Sequence, residues 1–186
     1  MRWIFGYGSL MWLPGFPHAE RRPAVLKGYH RDYGMISTRF RGTSERPGLV
    51  VTLVPGGEVV GMAYRYQLQD EPPLLSYLDE REGADRAHKR VAVPVRLTDG
   101  GAERWLPAWT YLPILAGESY DVSLPLERKV RMLLQGAGPV GTSYDYLECL
   151  MGELHALGLH EPPLEQLWEA ANRARAAQSA RPAGAP

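Results

Sequence analysis

The stretch Trp3-Ile4-Phe5-Gly6-Tyr7-Gly8-Ser9-Leu10-Met11-Trp12 runs an apolar strand straight into a glycine-rich turn. Glycine lets a backbone take positive φ and approach a ligand closely, so successive N–H groups can converge on an anion or a carbonyl oxygen. Tyr7 and Ser9 set hydroxyls beside those amides. A lone Gly-x-Gly reads more readily as a tight hairpin turn with a packed tyrosine, so a second segment carries weight. Leu78-Asp79-Glu80-Arg81-Glu82-Gly83 places three carboxylates within four positions, at the end of a helix-like run through Leu74, Leu75 and Leu78.

Working outward, the chain reads as strands first and helices afterwards. Val25 to Met35 and Leu49 to Val54 are rich in β-formers, and Val59 to Leu68 reads as another strand after a turn at Pro55-Gly56-Gly57. Val91 to Leu97 alternates, with Pro94 pointing to an edge or a bulge, and Trp109 to Leu112 is a candidate to close the sheet. Helical spacing follows at Leu126, Val130, Leu133 and Leu134, and again at Leu147, Leu150, Met151, Leu154 and Leu157, with Thr142 or Ser143 as the cap. Strands followed by helices predict an α+β fold and weigh against Rossmann and P-loop readings. Residues 1–178 are expected to form a single domain, and 179–186, rich in alanine, proline and glycine, a disordered tail.

Composition bounds the function. The 186 residues carry 21 basic and 21 acidic side chains, so no net field draws the chain to nucleic acid or an anionic membrane. No run of 18 or more apolar residues is present, and a cytoplasmic protein is the expectation. Cys149, between Leu147 and Leu150, is expected to fill the core. The histidines at 18, 30, 88, 155 and 160 have no zinc-ligand spacing, and Ser9 lacks the Gly-x-Ser-x-Gly context of a hydrolase nucleophile. No metal and no cofactor is expected.

The two segments together resemble the ChaC-like γ-glutamylcyclotransferases. The pattern from Trp3 to Trp12 is similar to that family's FGYGSL block. Arg41-Gly42 through Pro47-Gly48-Leu49-Val50-Val51-Thr52-Leu53 resembles its RG…PG.VVTL block, and Tyr77-Leu78-Asp79-Glu80-Arg81-Glu82 its YLD.RE block. A fourth block is matched from Gly138 to Leu147. The resemblance implies a small mixed β-barrel with helices around it. It also implies a reaction in which the α-amine of a γ-glutamyl group attacks its own side-chain amide carbonyl, releasing 5-oxoproline and an amine, with glutathione as the first-ranked substrate. It places the general base at Glu82 and substrate contacts at Ile4, Phe5, Gly6, Tyr7, Gly8, Ser9, Leu10, Arg41 and Tyr146. A helix C-terminus with Asp79 and Glu80 alongside should raise the Glu82 carboxyl toward a useful range.

Each assignment has a plainer alternative: a solvated helix end for the acids, a core aromatic for Tyr146, a solvated loop side chain for Arg41. Asp79 and Glu80 read as surface or supporting carboxylates. The chain departs from glutathione-directed members at Phe40, Leu49 and Ser143, and in the loop Gly83-Ala84-Asp85-Arg86-Ala87-His88, where His88 takes the place of a tyrosine. These changes leave other γ-glutamyl amines or γ-glutamyl-capped metabolites open as substrates. From another class, a non-catalytic module that holds a small metabolite in the Gly6–Leu10 turn also remains open.

Overall fold

The computed structural model describes residues 3–83, 87–98, 104–114 and 120–180. In chain order they form β1 (Trp3–Gly6), β2 (Glu20–Ser37), β3 (Gly48–Arg65), α1 (Glu71–Glu82), β4 (His88–Leu97), β5 (Arg104–Pro113), α2 (Leu126–Gln135), the short pair β6 (Ala137–Gly138) and β7 (Gly141–Thr142), α3 (Ser143–Ala156) and α4 (Pro162–Ser179). The described residues gather into two units, one from Met1–Arg31 and Thr52–Gly117, the other from Asp32–Val51 and Glu118–Pro186.

The first five strands form a closed barrel in the order β1-β3-β2-β4-β5, with β1, β4, β5 and most of β2 and β3 in the first unit. β1 lies antiparallel to β3, with Trp3 opposite Arg65 and Gly6 opposite Met62. It also lies parallel to β5, with Ile4 opposite Trp109. That second pairing closes the ring, as the sequence suggested for Trp109 to Leu112, and a closed ring exposes no strand edge. All four residues of β1 are buried, which explains why the strand is apolar without alternation. β4 pairs with β5 from His88 opposite Pro113 to Leu97 opposite Arg104, but with β2 only from Ala24–Leu97 to Leu26–Val95. Pro94 stands just past that short ladder, where its missing N–H breaks no bond to β2.

One expectation is corrected here. Pro55-Gly56-Gly57 is not a turn between two strands but an interruption within the continuous β3. Gly56 and Gly57 take positive φ (101° and 74°) beside His30 of β2, whose Nδ1 lies 3.0 Å from the Gly56 carbonyl oxygen. Turn-type residues within a long strand bulge it without ending it.

The helix α1 carries Pro72 and Pro73 in its first turn, where their fixed φ suits the helix, and is capped by Gly83 in the left-handed conformation. Its Leu74 and Leu78 join Ile4, Leu10, Tyr66 and Tyr111 in one buried cluster. Leu78 is fully shielded, a burial that contributes about 1.5–3 kcal/mol. Because Ile4 and Leu10 flank the glycine turn, this packing sets α1 against the same end of β1 that carries the turn.

In the second unit Thr142 caps α3, its Oγ1 accepting the Asp145 N–H at 2.9 Å. The buried stripe of α3 includes Tyr146, Leu147, Leu150, Met151 and Leu154, and α4 contributes Leu164, Leu167 and Ala171. Cys149 falls outside that stripe and is exposed, contrary to the expectation that it fills core. The stripe already has its apolar residues, and position 149 points away from it. α4 ends at Ser179 with Ala180 as its cap, at the start of the expected tail. The rest of that expectation, 181–186, lies outside the described residues. Among the described residues no helix is long and apolar enough to cross a membrane.

Candidate active site

The glycine turn follows the C-terminal end of β1. Neither Gly6 nor Gly8 has positive φ. Gly6 is required by space instead, since a Cβ there would lie 2.4 Å from the Leu10 Cβ. Beyond Gly8 a single 3-10 turn, Ser9–Met11, begins with the Met11 N–H donating to the Gly8 carbonyl at 2.8 Å, followed by Leu13 to Ser9 at 2.9 Å. The N–H groups of Ser9 and Leu10 therefore come ahead of the turn's own hydrogen bonds. Such leading amides suit an anion or a developing oxyanion.

The side chains of the turn divide. Ile4 and Phe5 are fully buried in the barrel, and the Phe5 carbonyl accepts from the Thr110 hydroxyl at 2.9 Å. Both residues build the strand that presents the turn, and their side chains are not surfaces a substrate could touch. The Tyr7 hydroxyl is likewise buried and donates to the Tyr111 carbonyl at 2.8 Å, so it ties the turn to β5 and is not offered to a ligand. Ser9 is half-buried, and its Oγ accepts from Arg81 Nη2 at 3.2 Å.

Glu82 is the last residue of α1, with only 18% of its side chain exposed. Burial pushes its carboxyl above the ordinary glutamate range, and His88 and Arg81 pull the other way. The sequence expectation named the helix terminus and the neighbouring acids as the cause, whereas the dominant effect is desolvation. Asp79 is turned to another task, accepting the Tyr111 hydroxyl on Oδ1 at 2.7 Å and Arg90 on Oδ2 at 2.8 Å. The Tyr111 phenol is held well above its usual range by burial and then by Asp79. Glu80 is exposed. Within one acidic cluster the three carboxylates thus have three environments: shielded, paired and solvated. The Glu82 carbonyl accepts from His88 Nδ1 at 2.9 Å, which fixes the hydrogen on that nitrogen.

Arg81 was not singled out from the sequence. Its Nη1 donates to the Pro14 carbonyl at 2.9 Å and lies 3.3 Å from the Tyr77 hydroxyl. Its Nη2 reaches Ser9, and its Nε lies 3.5 Å from Glu82 Oε1. One planar guanidinium thereby touches both the turn and the shielded carboxylate. An arginine directly before the candidate base was the available signal. Arg31 was missed altogether: it is 4% exposed, and its Nε donates to the Tyr7 carbonyl at 2.8 Å.

The remaining predicted residues belong to the second unit. Arg41 stacks over the Tyr146 ring at 5.4 Å and donates to the Thr142 carbonyl at 3.2 Å. Those two predicted residues are therefore brought together with each other, as Gly6–Leu10 and Glu82 are brought together in the first unit. Ser143, one of the departures noted in the sequence, is fully buried; its Oγ accepts the Leu49 N–H at 2.8 Å and donates to the Arg41 carbonyl at 3.2 Å.

Comparison with known proteins gives a consistent answer. The profile of the family described as ChaC-like protein matches residues 2–174. A protein of Escherichia coli (strain K12) named glutathione-specific gamma-glutamylcyclotransferase is 32% identical over 165 residues, covering 89% of this chain and 70% of that one. One of the same name from Schizosaccharomyces pombe is 40% identical over 166 residues, covering 78% of each. The crystal structure of a γ-glutamyl cyclotransferase specific to glutathione from yeast superposes with a TM-score of 0.83 at 22% identity, over 92% of this chain and 96% of that one.

Proposed function

The chain belongs to the ChaC-like γ-glutamylcyclotransferases, and from that premise we propose that it cyclises glutathione to 5-oxoproline and cysteinylglycine with Glu82 as the general base. The observation that carries the reading is the juxtaposition of a shielded carboxyl with the Gly6–Leu10 turn through the single guanidinium of Arg81.

The reaction needs a folded substrate conformer, removal of a proton from the α-ammonium, and stabilisation of charge on the amide oxygen. Holding nucleophile and electrophile of one molecule in contact makes the attack intramolecular, which lowers the barrier mainly through orientation. In this reading the Glu82 carboxylate takes a proton from the α-ammonium, and the freed nitrogen adds to the side-chain amide carbon. Charge builds on the amide oxygen, where the amides leading the 3-10 turn serve as donors. Glu82 returns that proton to the departing nitrogen as its bond to carbon breaks, and the same carboxylate carries the second proton from the ring nitrogen to the freed amine. Of the three hydrogens on the α-ammonium, one stays on the lactam nitrogen and two end on the departing ammonium. No water is consumed.

The shielding of Glu82 supports this double duty. A base that must also act as acid works best with a pKa nearer the operating pH than a solvated glutamate has. The test is product analysis by mass spectrometry after incubation with glutathione and, separately, with γ-glutamyl dipeptides. 5-Oxoproline with cysteinylglycine is expected. Product from other γ-glutamyl amines alone would move the substrate assignment to those compounds, and no product from any of them would favour a metabolite-binding module.

A further inference from the structure

We infer that Arg31 is a positioning residue that fixes the Tyr7–Gly8 peptide plane, so that the Gly8 N–H is presented away from the barrel wall as a donor for the γ-glutamyl substrate. The inference rests on the cyclotransferase reading for its substrate, but its geometry stands apart from it.

Arg31 belongs to β2 and is 4% exposed. Its Nε donates to the Tyr7 carbonyl at 2.8 Å, one Nη2 bond goes to the Val60 carbonyl at 2.5 Å, and Nη2 also lies 3.6 Å from the Met11 sulfur. Arg31 thus spans β3, the glycine turn and the 3-10 turn with one rigid, planar group. A trans peptide is planar, and its C=O and N–H point in opposite directions. A guanidinium that holds the Tyr7 carbonyl therefore dictates where the Gly8 N–H points, from the opposite edge of the peptide to the one that faces Arg31. A charge-assisted bond to the carbonyl also polarises the peptide and makes that N–H a better donor. The orientation is reinforced from the other flank, where the buried Tyr7 hydroxyl donates to the Tyr111 carbonyl.

Burying a guanidinium is costly, and an apolar side chain of similar volume would fill such a space without that penalty. Lysine cannot substitute cleanly, because an ammonium lacks the fork that reaches two carbonyls in a fixed geometry.

The experiment uses Arg31→Lys and Arg31→Met, with circular dichroism to verify folding. Amide NMR is recorded on protein labelled with 13C-carbonyl tyrosine and 15N-glycine, a pairing that selects Tyr7–Gly8 and Tyr33–Gly34. In both variants the Gly8 cross-peak is expected to shift while Gly34 stays in place. The kcat for 5-oxoproline release is expected to fall by about 10- to 100-fold with KM changed less than about threefold, because a donor aimed at developing charge acts on the transition state. Folded variants with an unmoved Gly8 resonance, or with wild-type kcat where the wild type turns over, would overturn the inference. If neither variant folds, a through-hydrogen-bond coupling between Arg31 Nε and the Tyr7 carbonyl carbon in the wild type supports it, and its absence overturns it. If the wild type releases no 5-oxoproline, the functional reading fails while the NMR comparison still decides the role of Arg31.

Discussion

Arg81 Nη2 donates to Ser9 Oγ at 3.2 Å, which ties the last turn of α1 to the 3-10 turn that follows the glycines. The same guanidinium holds the Pro14 carbonyl at 2.9 Å and lies 3.5 Å from the Glu82 carboxylate. Replacing it with glutamine removes a charge and a clamp together. Arg81→Gln is expected to lower kcat/KM by about 10- to 100-fold, the scale on which misplaced catalytic groups lose rate. Lysine should restore part of the charge effect but little of the clamp, since it cannot fork between Ser9 and Pro14. Steady-state kinetics on both variants makes the distinction, and equal activity of Arg81→Gln and wild type would remove Arg81 from the site.

Glu82→Gln separates chemistry from stability. Loss of the base should reduce kcat by about 10²- to 10⁴-fold, with KM for glutathione changed only a few-fold. The stability effect has the opposite sign. The folded carboxyl holds its proton more tightly than the unfolded one, so its contribution to stability is complete below the ordinary glutamate pKa and is lost as pH rises through the folded value. Above that value the wild type carries the cost of a shielded carboxylate, and the amide does not. Thermal melts should show Glu82→Gln gaining on the wild type at pH 8 and losing that advantage near pH 4. A variant less stable at pH 8 than at pH 4, relative to wild type, would contradict the shielding of Glu82.

The acids Asp79, Glu80 and Glu82 look alike in sequence, and only packing tells them apart. Asp79 accepts the Tyr111 hydroxyl and the Arg90 guanidinium, so Asp79→Ala strands two donors and should cost about 1–3 kcal/mol. Tyr111→Phe leaves Asp79 with Arg90 and should cost about 1 kcal/mol. Glu80→Ala, at an exposed position, should stay within about 0.5 kcal/mol of wild type. Urea unfolding ranks the three, and an effect of Glu80→Ala as large as that of Asp79→Ala would break the assignment.

That contrast also shows what a sequence can and cannot carry. Local patterns placed β1, a closing strand at Trp109 to Leu112, a helix ending near Arg81, and a cap at Thr142 or Ser143, because each is decided within a few residues. Pro55-Gly56-Gly57 misled because turn chemistry and bulge chemistry use the same residues; only the continuous β2 beside it shows that the strand goes on. Cys149 misled because it adjoins a helical stripe without belonging to it. Arg31 was invisible as a site residue because its partner Tyr7 lies 24 positions away, and the sequence could place Arg81 beside Glu82 but not on Ser9, 72 positions away. Long-range side-chain hydrogen bonds leave no periodicity.

Ser143 is a buried cross-link in the second unit, taking the Leu49 N–H and giving to the Arg41 carbonyl. Ser143→Ala leaves a buried N–H unanswered and should destabilise by about 1–3 kcal/mol. Gly48→Ala is expected to be worse, since its Cβ would lie 2.1 Å from the Arg41 oxygen and 2.2 Å from Ser143 Oγ. The first atom is backbone, and the second is held by two hydrogen bonds. Soluble expression and thermal melts check the order, and a Gly48→Ala protein as stable as wild type would mean that the loop after Arg41 yields more readily than its packing implies.

His88 and Arg81 both lower the Glu82 carboxyl against the larger, opposing effect of burial, and this sets the direction of a pH test. His88→Phe removes one of these influences together with the hydrogen bond to the Glu82 carbonyl. The acid limb of kcat/KM, which reports ionisation of the base in the free enzyme, should move to higher pH. Arg81→Gln should move it the same way, and the double variant should move it further, because burial is then left unopposed by either group. The measurement is a kcat/KM profile across the acid range for the two single variants and the double. A limb that stays in place in all three would mean that a group other than Glu82 is titrating, and the base would have to be sought elsewhere in the site.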